Sequence, residues 1–508
     1  MIGPQLVQLA RMASALPRFL RHPLSPEQAF DEVRHRFEAR ERRFLDCVRA
    51  LVYDNPASPY RELLRWAGCE HGDLESSVRS RGLETTLAAL RDGGVHVTLA
   101  ELKATAPIVR GTRSREVRES DFDNPFFDRG SLEGSSSASR SRGTRVGYDW
   151  ALIREHAATE LVLNDLHGAA CVPLALWLPP LPSIAGMQCV LMNLTWRRVP
   201  AAWFSPVDTR AAAARHRLAN AYIRRVCGLL GYRLPRPRWA EFARAAEVAG
   251  WISSHRPCLL RTYVSSAVRL AQAARTAGLD LAGCTILCGG EPLTEERREF
   301  VESTGARIFP RYSATEAGLI GAACDRRTSA DDMHVYLDRV AVVQHETRLL
   351  FTSLSPHTGK VLLNADLGDC GTLEHRACAC SFGRIGMTAH VSNVRSPAKF
   401  TAEGMNVLGS DLDRIVGQLV AEAGGSPDSY QFWETARADG TRGLVVAIDP
   451  DVPGLEPADV RARLLERLAG DKPSGALTSR MWDQARTLEI VRAAPRLTRG
   501  HKFPRIIS

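Results

Sequence analysis

Two short segments in the middle of this 508-residue chain combine residue types that bind phosphate, metal and an aromatic base. Residues 289–293 read Gly-Gly-Glu-Pro-Leu, and residues 311–316 read Arg-Tyr-Ser-Ala-Thr-Glu. Glu316 supplies a hard oxygen ligand suited to Mg²⁺, Thr315 a hydroxyl donor for phosphate oxygens, and Tyr312 a flat face for a purine ring. Together the two segments predict a site for a nucleoside triphosphate.

Local sequence patterns predict where these segments lie in a fold. The apolar run 284–288 predicts a buried strand, 294–303 a helix, and 306–309 the next strand. Both segments then follow the carboxyl ends of parallel strands, which is where open α/β sheets bind nucleotides. We expect one crevice lined by both segments, through Gly289, Gly290, Glu291, Pro292, Arg311, Tyr312, Ser313, Thr315 and Glu316.

At these residues the chain resembles the adenylate-forming superfamily, and within it the phenylacetate-CoA ligase branch, and the resemblance covers most of the sequence. In that family a Tyr-Gly-x-Thr-Glu segment carries the adenine-stacking ring, the phosphate-binding threonine and the Mg²⁺-binding glutamate. These correspond here to Tyr312, Thr315 and Glu316, with Ser313 in place of the glycine.

Two further segments resemble nucleotide-binding parts of the family. The strand expected over 362–373 is similar to one that ends in Thr-Gly-Asp, which implies that Asp369 binds the ribose hydroxyls. Segment 134–145, rich in serine and arginine, stands in the place of the phosphate loop, and both residue types suit phosphate oxygens. A flexible linker has the same composition, so that alternative stays open. As a phosphate loop, the segment would bind through Ser136, Ser137, Ser139 and Arg142.

The resemblance continues into the C-terminal part of the chain. Residues 394–396, Val-Arg-Ser, stand where the family has a Gly-Arg-Ser hinge, which implies that Arg395 is the hinge arginine. Residues 495–502 are similar to the family's terminal Pro-Arg-Thr-x-x-Gly-Lys, which implies that Lys502 is the catalytic lysine. His501 is inserted between the glycine and this lysine.

The alternation of helices and short apolar strands predicts an α/β fold with a large N-terminal doubly wound body and a small, mobile C-terminal α+β domain. We place the large adenylate-forming domain at 1–394, including an N-terminal helical segment over about 25–110. The small domain then covers 395–508 and carries Lys502.

The amino-acid composition limits which classes of binding partner and which cellular compartment we expect for this chain. The formal charge of +9 is spread along the chain as arginine, with no basic block interleaved with aromatic residues, so we expect no nucleic-acid partner. The charge does suit anionic ligands such as ATP or CoA. Twelve cysteines in this length do not form a small disulfide framework, which favours a reducing, cytoplasmic compartment. The residues do not fix an oligomeric state, and a dimer is compatible with them.

The charge-free segment 168–196 is long enough to cross a bilayer. Its four prolines would break a spanning helix, so we expect no membrane span. Buried strands and an apolar pocket wall are the preferred interpretation.

Four residues also form a candidate zinc site. Cys378 and Cys380 are a closely spaced thiol pair, and Cys324 and His334 follow the Mg²⁺ motif on an expected adjacent hairpin. Zn²⁺ takes four such ligands in a tetrahedron. Some relatives in the phenylacetate-CoA ligase branch are similar in carrying this set, which implies a structural zinc. The alternative, that these residues are free thiols and a surface histidine without a metal, stays open. If zinc is bound, Cys370 and His375 could replace one of the four ligands.

The resemblance implies an enzyme that uses ATP and Mg²⁺ to activate a small carboxylic acid as an acyl-adenylate, and then passes the acyl group to the thiol of CoA or an acyl carrier protein. Glu316 would hold Mg²⁺, Lys502 would bridge the attacking carboxylate and the ribose, and the small domain would swing about Arg395. An amine or other non-thiol acceptor is one alternative. A degenerate, non-catalytic nucleotide-binding member is the other, and the altered phosphate loop supports it.

Overall fold

The structure is a computed structural model that describes residues 15–126, 132–135, 145–148, 150–181, 183–211, 214–397, 399–437, 440–471, 475–494 and 506–507. Its helices in the large body are α1 Pro26–Glu38, α2 Arg40–Val48, α3 Pro59–Trp66, α4 His71–Arg81, α5 Leu83–Asp92, α6 Leu99–Leu102, α7 Trp150–Leu166, α8 Ile184–Leu194, α9 Ala214–Leu229, α10 Ala245–Ser254, α11 Val264–Thr276, α12 Glu295–Glu302 and α13 Ser381–Ile385. Those that follow in the chain are α14 Gly409–Glu422, α15 Pro457–Asp471 and α16 Gly475–Gln484.

The strands, in chain order, begin with β1 Ile108–Arg110, β2 Arg113–Arg115, β3 Leu132–Ser135, β4 Arg145–Tyr148, β5 Leu174–Trp177, β6 Ala202–Ser205, β7 Arg238–Trp239, β8 Cys258–Tyr263, β9 Cys284–Gly289, β10 Arg307–Ala314 and β11 Gly318–Ala322. They continue with β12 Met333–Val335, β13 Val340–His345, β14 Arg348–Ser353, β15 Ala365–His375, β16 Ala389–Arg395, β17 Lys399–Ala402, β18 Met405–Leu408, β19 Tyr430–Ala436, β20 Arg442–Ile448, β21 Leu488–Arg492 and β22 Ile506–Ile507.

The N-terminal segment is helical, as predicted. Its first helix, α1, starts at a capping box in which Ser25 Oγ accepts from the Gln28 amide and the Gln28 side chain accepts from the Ser25 amide. Val33 and Phe44 are buried on the inner faces of α1 and α2. Helix α1 packs against α7, and Arg43 on α2 pairs with Glu155 on α7 at 2.8 Å.

That sheet has twelve strands within the described ranges, in the order β13-β14-β15-β16-β12-β11-β10-β9-β8-β5-β6-β7. The half from β10 to β7 is parallel, and every pairing from β10 to β13 is antiparallel. The predicted α/β body with parallel strands is confirmed for the half of the sheet from β10 to β7. The antiparallel half was not predicted. The strand order reverses between β5 and β8, the kind of position where α/β sheets open a crevice.

The charge-free segment is buried, as expected, but it forms one strand, β5, and one helix, α8. Trp177 and Trp203 pack in the core, where their indole N–H groups donate to the carbonyls of Ala240 and Leu178, both at 2.9 Å. No helix among the described residues is long and apolar enough to cross a membrane.

Beyond β16 the chain builds a small α+β unit. A hairpin, β17-β18, leads into a four-stranded sheet with the order β21-β20-β19-β22, which is flanked by α14, α15 and α16. Trp482 on α16 is fully buried, and its indole N–H donates to the Ala402 carbonyl at 3.3 Å. This contact ties the hairpin to the rest of the small unit.

Candidate functional site

A cavity of about 800 Å³ opens at the carboxyl ends of β8, β9 and β10. Residues of the small unit, among them Glu434 and Arg442, complete its wall. The cavity brings together every predicted site residue of the nucleotide site that lies within the described ranges: Gly289, Gly290, Glu291, Pro292, Arg311, Tyr312, Ser313, Thr315, Glu316, Asp369 and Arg395.

Two predicted parts of the site lie outside the described residues. These are the phosphate-binding residues Ser136, Ser137, Ser139 and Arg142, and the predicted catalytic lysine Lys502. The strands β3 and β4 on either side of the serine-rich segment pair with each other in antiparallel register, from Leu132 opposite Tyr148 to Ser135 opposite Arg145.

Glu316 forms a close ion pair with a lysine from the N-terminal helical segment. Lys103 Nζ lies 2.5 Å from Glu316 Oε1 and 3.5 Å from Glu119 Oε1, and both Lys103 and Glu316 are largely buried. Burial alone would raise the pKa of Glu316, but the ammonium groups of Lys103 and Lys399 outweigh it and lower that pKa to about 2. Glu316 is therefore ionised at neutral pH.

Asp369, inside the long strand β15, is enclosed by three partners. Tyr312 donates its hydroxyl to Asp369 Oδ2 at 2.6 Å, Ser396 Oγ donates to Oδ1, and Lys399 Nζ lies 3.5 Å from Oδ1. Burial, followed by the Asp369 carboxylate, raises the pKa of Tyr312 well above its ordinary value. The ring of Tyr312 is thus fixed by its hydroxyl while part of it lines the cavity.

The glycine turn after β9 serves as a docking surface for the hairpin of the small unit. Gly290 has φ +80°, and a Cβ there would come within 3.1 Å of Gly404. Glu291 Oε1 accepts from Ser265 Oγ at 2.7 Å and from the Gly404 amide at 2.9 Å. The Glu291 carboxylate thus joins the large body to the turn that follows the predicted hinge.

Arg395, the predicted hinge arginine, ends β16 at the point where the chain leaves the large sheet. Its side chain is about half exposed, and Nη1 lies 3.4 Å from Asp331 Oδ2. Both residues line the cavity. Four residues later the chain enters β17, so Arg395 stands between the large sheet and the small unit.

The four predicted zinc ligands come together beside β12, the strand that carries His334. The ligand atoms of Cys324, His334, Cys378 and Cys380 all lie within 4.8 Å of one another. A tetrahedral zinc site with Zn–S bonds of about 2.3 Å places its sulfurs about 3.8 Å apart. The Sγ atoms of Cys324 and Cys378 are 3.8 Å apart, and Cys380 Sγ is 3.1 Å from His334 Nε2.

The surroundings of this cluster fit a metal as well. His334 Nδ1 lies 3.1 Å from the Met387 carbonyl, which leaves Nε2 directed at the thiols. The backbone amides of Arg326 and Gly383 donate to the sulfurs of Cys324 and Cys380 at 3.3 and 3.5 Å. Such bonds stabilise thiolates. The substitute ligands Cys370 and His375 are not members of the cluster.

Sequence reasoning missed the lysines of this site, although composition carried a signal. Only five of the 66 basic Lys and Arg residues in the chain are lysines. Three of them are Lys103 and Lys399, which line the cavity, and Lys502, the predicted catalytic lysine. A lysine differs from arginine in presenting a compact, strongly hydrated ammonium group, so its position in an arginine-rich chain was a usable signal.

Among solved structures, the chain is similar to 2-hydroxyisobutyryl-CoA ligase in complex with 2-HIB-AMP and CoA in the thioesterification state. The TM-score is 0.57 at 16% sequence identity, over 93% of this chain and 89% of that chain. A mutant of the amide bond synthetase McbA from Marinactinospora thermotolerans matches with a TM-score of 0.45 at 12% identity, over 87% of this chain and 91% of that chain. No protein-family model matches the sequence, and no curated protein matches it significantly. The chain has the fold of the adenylate-forming acyl-CoA ligases.

Proposed function

We propose that this chain is an AMP-forming ligase, similar to phenylacetate-CoA ligase, that activates a carboxylic acid as an acyl-adenylate and transfers the acyl group to the thiol of CoA or a carrier protein. One observation carries the proposal. Residues from four distant parts of the sequence, represented by Gly290, Thr315, Asp369 and Arg395, line a single cavity between the large body and the small unit. The similarity in fold to a CoA ligase supports the same reading.

In the first half-reaction, a carboxylate oxygen attacks the α-phosphorus of ATP and pyrophosphate leaves. Positioning and charge neutralisation supply most of the catalysis in such a displacement. Thr315 would donate to phosphate oxygens, and Lys103 would move from Glu316 onto the triphosphate. Glu316 would then be free to hold Mg²⁺, which neutralises phosphate charge when bound.

Asp369 would bind the ribose hydroxyls, because it is a carboxylate that lines the cavity beside Tyr312. In the structure Ser396 and Lys399 occupy its other oxygen. Both residues lie within four positions after Arg395, so a movement of the small unit would free that oxygen for ribose. Nucleotide binding and domain movement would thereby be linked.

The domain boundary is proposed at Arg395, with the large domain at 1–394 and the small domain at 395–508. Lys502 would contact the attacking carboxylate during adenylation and withdraw when the small domain rotates to admit the thiol. The zinc proposed on Cys324, His334, Cys378 and Cys380 would be structural, because all four protein ligands are supplied and none is left for a substrate.

Exchange of labelled pyrophosphate into ATP, measured with a panel of carboxylic acids, tests the adenylation step. We expect acid-dependent exchange that Glu316→Gln lowers at least 100-fold. Adding CoA, a carrier protein or an amine to the active acid then identifies the acceptor. Nucleotide binding without exchange for any acid would instead favour a non-catalytic nucleotide-binding protein.

A further inference from the structure

A buried carboxylate and two guanidinium groups form part of the cavity wall. Glu160 on α7 is 1% exposed, and its two oxygens accept separately from Arg261 on β8 and from Arg311 on β10. The contact from Arg311 Nη2 measures 2.5 Å. Both arginines line the cavity, whereas Glu160 lies behind them.

The group formed by Glu160, Arg261 and Arg311 has a net charge of about +1, because a single carboxylate pairs with two guanidinium groups. One glutamate faces two arginines, and neither Arg261 Nε nor Arg311 Nε has an acceptor among the described residues. Arg261 is 5% exposed, so its charge has little access to water. Buried unpaired charge and unsatisfied donors are costly. An anion in the cavity would balance this charge and supply the missing acceptors.

The neighbouring charged groups do not supply one. His156 is fully buried, and burial followed by Arg339 and Arg311 lowers its pKa well below the ordinary value, so the imidazole is neutral. Arg339 is itself buried, and the carboxylates near it, Asp338 and Glu155, already pair with Arg36 and Arg43. Across the cavity, α8 presents Gln188, an uncharged side chain that donates to His156 Nδ1 at 2.8 Å.

From their position, we expect the two arginines to contact the acid substrate and not the phosphates of the nucleotide. Arg311 directly precedes Tyr312 and stands four residues before Thr315, a separation of at most about 13 Å along an extended strand. Besides these arginines, that part of the cavity is lined by Cys189 and Met192 of α8, which are apolar. A molecule with one end at Thr315 and the other at Arg311 is therefore short.

We propose that the acid is a short dicarboxylic acid whose second carboxylate binds Arg261 and Arg311, while the first is adenylated. This inference rests on the proposed acid-activating function. The free carboxylate would accept hydrogen bonds from the two guanidinium groups. It would also balance the one guanidinium charge that Glu160 does not neutralise. The product would be a monothioester with one free carboxylate.

Pairs of acids matched in carbon number provide the test: succinate against butyrate, glutarate against pentanoate, and adipate against hexanoate, with the monomethyl esters as a further control. In pyrophosphate exchange we expect kcat/KM for the best dicarboxylate to exceed that of its matched monocarboxylate and its monoester about 10- to 100-fold. A preference for monocarboxylates would overturn the inference and leave the proposed function intact.

Arg311→Met tests the residues directly, because it leaves Arg261 and Glu160 as a neutral pair and so avoids a stranded buried charge. We expect this variant to lose the dicarboxylate preference, measured as the ratio of kcat/KM for each dicarboxylate to kcat/KM for its matched monocarboxylate, so that any general loss of exchange cancels. Arg307→Met, on the same strand but outside the cavity, should keep the wild-type preference. An unchanged preference in Arg311→Met would show that the group is purely structural.

Thermal stabilisation by the free acids separates this inference from the catalytic proposal. Dicarboxylates should raise the Tm of the wild type and of Arg307→Met, but not that of Arg311→Met. If exchange fails for every acid and this pattern holds, the adenylation proposal is wrong and the dicarboxylate site stands. If dicarboxylates stabilise neither the wild type nor the control, the site is refuted.

Discussion

Lys103 Nζ lies 2.5 Å from Oε1 of Glu316, so a lysine ammonium neutralises the carboxylate that is proposed to hold Mg²⁺. The two residues are 213 positions apart in the chain. The N-terminal helical segment thus reaches into the site built by the sheet. Binding of Mg²⁺ at Glu316 must displace this ammonium, and a nearby triphosphate is the group that would receive it.

Lys103→Met should lower pyrophosphate exchange at least 10-fold and give Mg²⁺ direct access to Glu316. We therefore expect MgCl₂ to raise the Tm of Lys103→Met more than that of the wild type, because the metal replaces the lost positive charge. Differential scanning fluorimetry over a Mg²⁺ titration measures this. The double variant Lys103→Met with Glu316→Gln should lose the gain.

Lys360→Met is the matched control for this experiment. Lys360 is also a buried lysine, and it contacts the Glu119 carbonyl at 2.7 Å, but it does not line the cavity. We expect it to destabilise the protein without any Mg²⁺-dependent recovery. Equal Mg²⁺ responses in the two lysine variants would contradict a specific metal site at Glu316.

The same ion pair predicts a dependence of stability on acid pH. The pKa of Glu316 is about 2 in the folded chain against an ordinary 4.5, so its contribution is complete above pH 4.5 and is lost as the pH falls toward 2. The full effect is roughly 3 kcal/mol. Chemical unfolding of the wild type and Glu316→Gln at pH 7, 4.5 and 3 should show a stability difference that narrows at the lowest pH. A constant difference would mean that Glu316 is not held ionised by Lys103.

At Asp369, the charge and the Tyr312 hydroxyl make separable contributions. Asp369→Ala should raise KM for ATP about 10- to 100-fold, since hydrogen bonds from ribose to a carboxylate would be lost. Tyr312→Phe keeps the ring and leaves Asp369 with Ser396 and Lys399, so we expect at most about a threefold change. Pyrophosphate exchange at varied ATP concentration distinguishes them. A larger loss in Tyr312→Phe would assign the main role to the hydroxyl.

The parts of the site that follow from strand-end geometry could be predicted from sequence. Gly289 and Arg311–Glu316 come next to each other because β9 and β10 are parallel neighbours, and apolar runs flanked by turn residues revealed both strands. The Cys₃His cluster could be predicted because this residue set matches the ligand preference of Zn²⁺. Asp369 and Arg395 came from resemblance alone.

The other features of the site and the sheet depend on contacts between distant residues, which produce no recognisable local sequence pattern. The pairing of Lys103 with Glu316 joins a helical segment to a strand end far along the chain, and no spacing rule connects a lone lysine to its partner. The antiparallel half of the sheet was missed because short strands such as β12, Met333–Val335, carry too few residues to show a period. Glu291 was expected to face a ligand, but its carboxylate also binds the Gly404 amide of the small unit.

Metal content tests the Cys₃His cluster. Purified protein should contain one zinc per chain, and Cys380→Ser should lose it and unfold at lower temperature, since metal binding and folding are coupled. Cys370→Ser is the control, because Cys370 is outside the cluster and should keep the metal. Atomic emission spectrometry and a melting curve suffice. Zinc retained in Cys380→Ser, or absent from the wild type, would reject the site.

The turn that docks the small unit depends on the absence of a side chain at Gly404. Its φ is +69°, and a Cβ would lie 2.2 Å from the Tyr263 ring, inside the contact distance of any two carbons. The adjoining Glu403 is fully buried and pairs with Arg269 through two bonds of 2.7 and 3.0 Å, so the turn has no room to shift. Gly404→Ala must therefore lift the turn from the large body.

Gly454 separates this steric effect from backbone strain, because it has a similar φ of +70° but nothing within 4 Å of an added Cβ. Both substitutions to alanine carry the left-handed strain of about 1–2 kcal/mol. Gly404→Ala should add a further 1–3 kcal/mol or so from overlap, and should also slow acyl transfer, since the hairpin beside Arg395 is displaced. Urea unfolding and the overall ligase rate, compared between the two variants, measure both effects. If the two alanine variants unfold and turn over alike, the contact between Gly404 and Tyr263 does not hold the small unit in place.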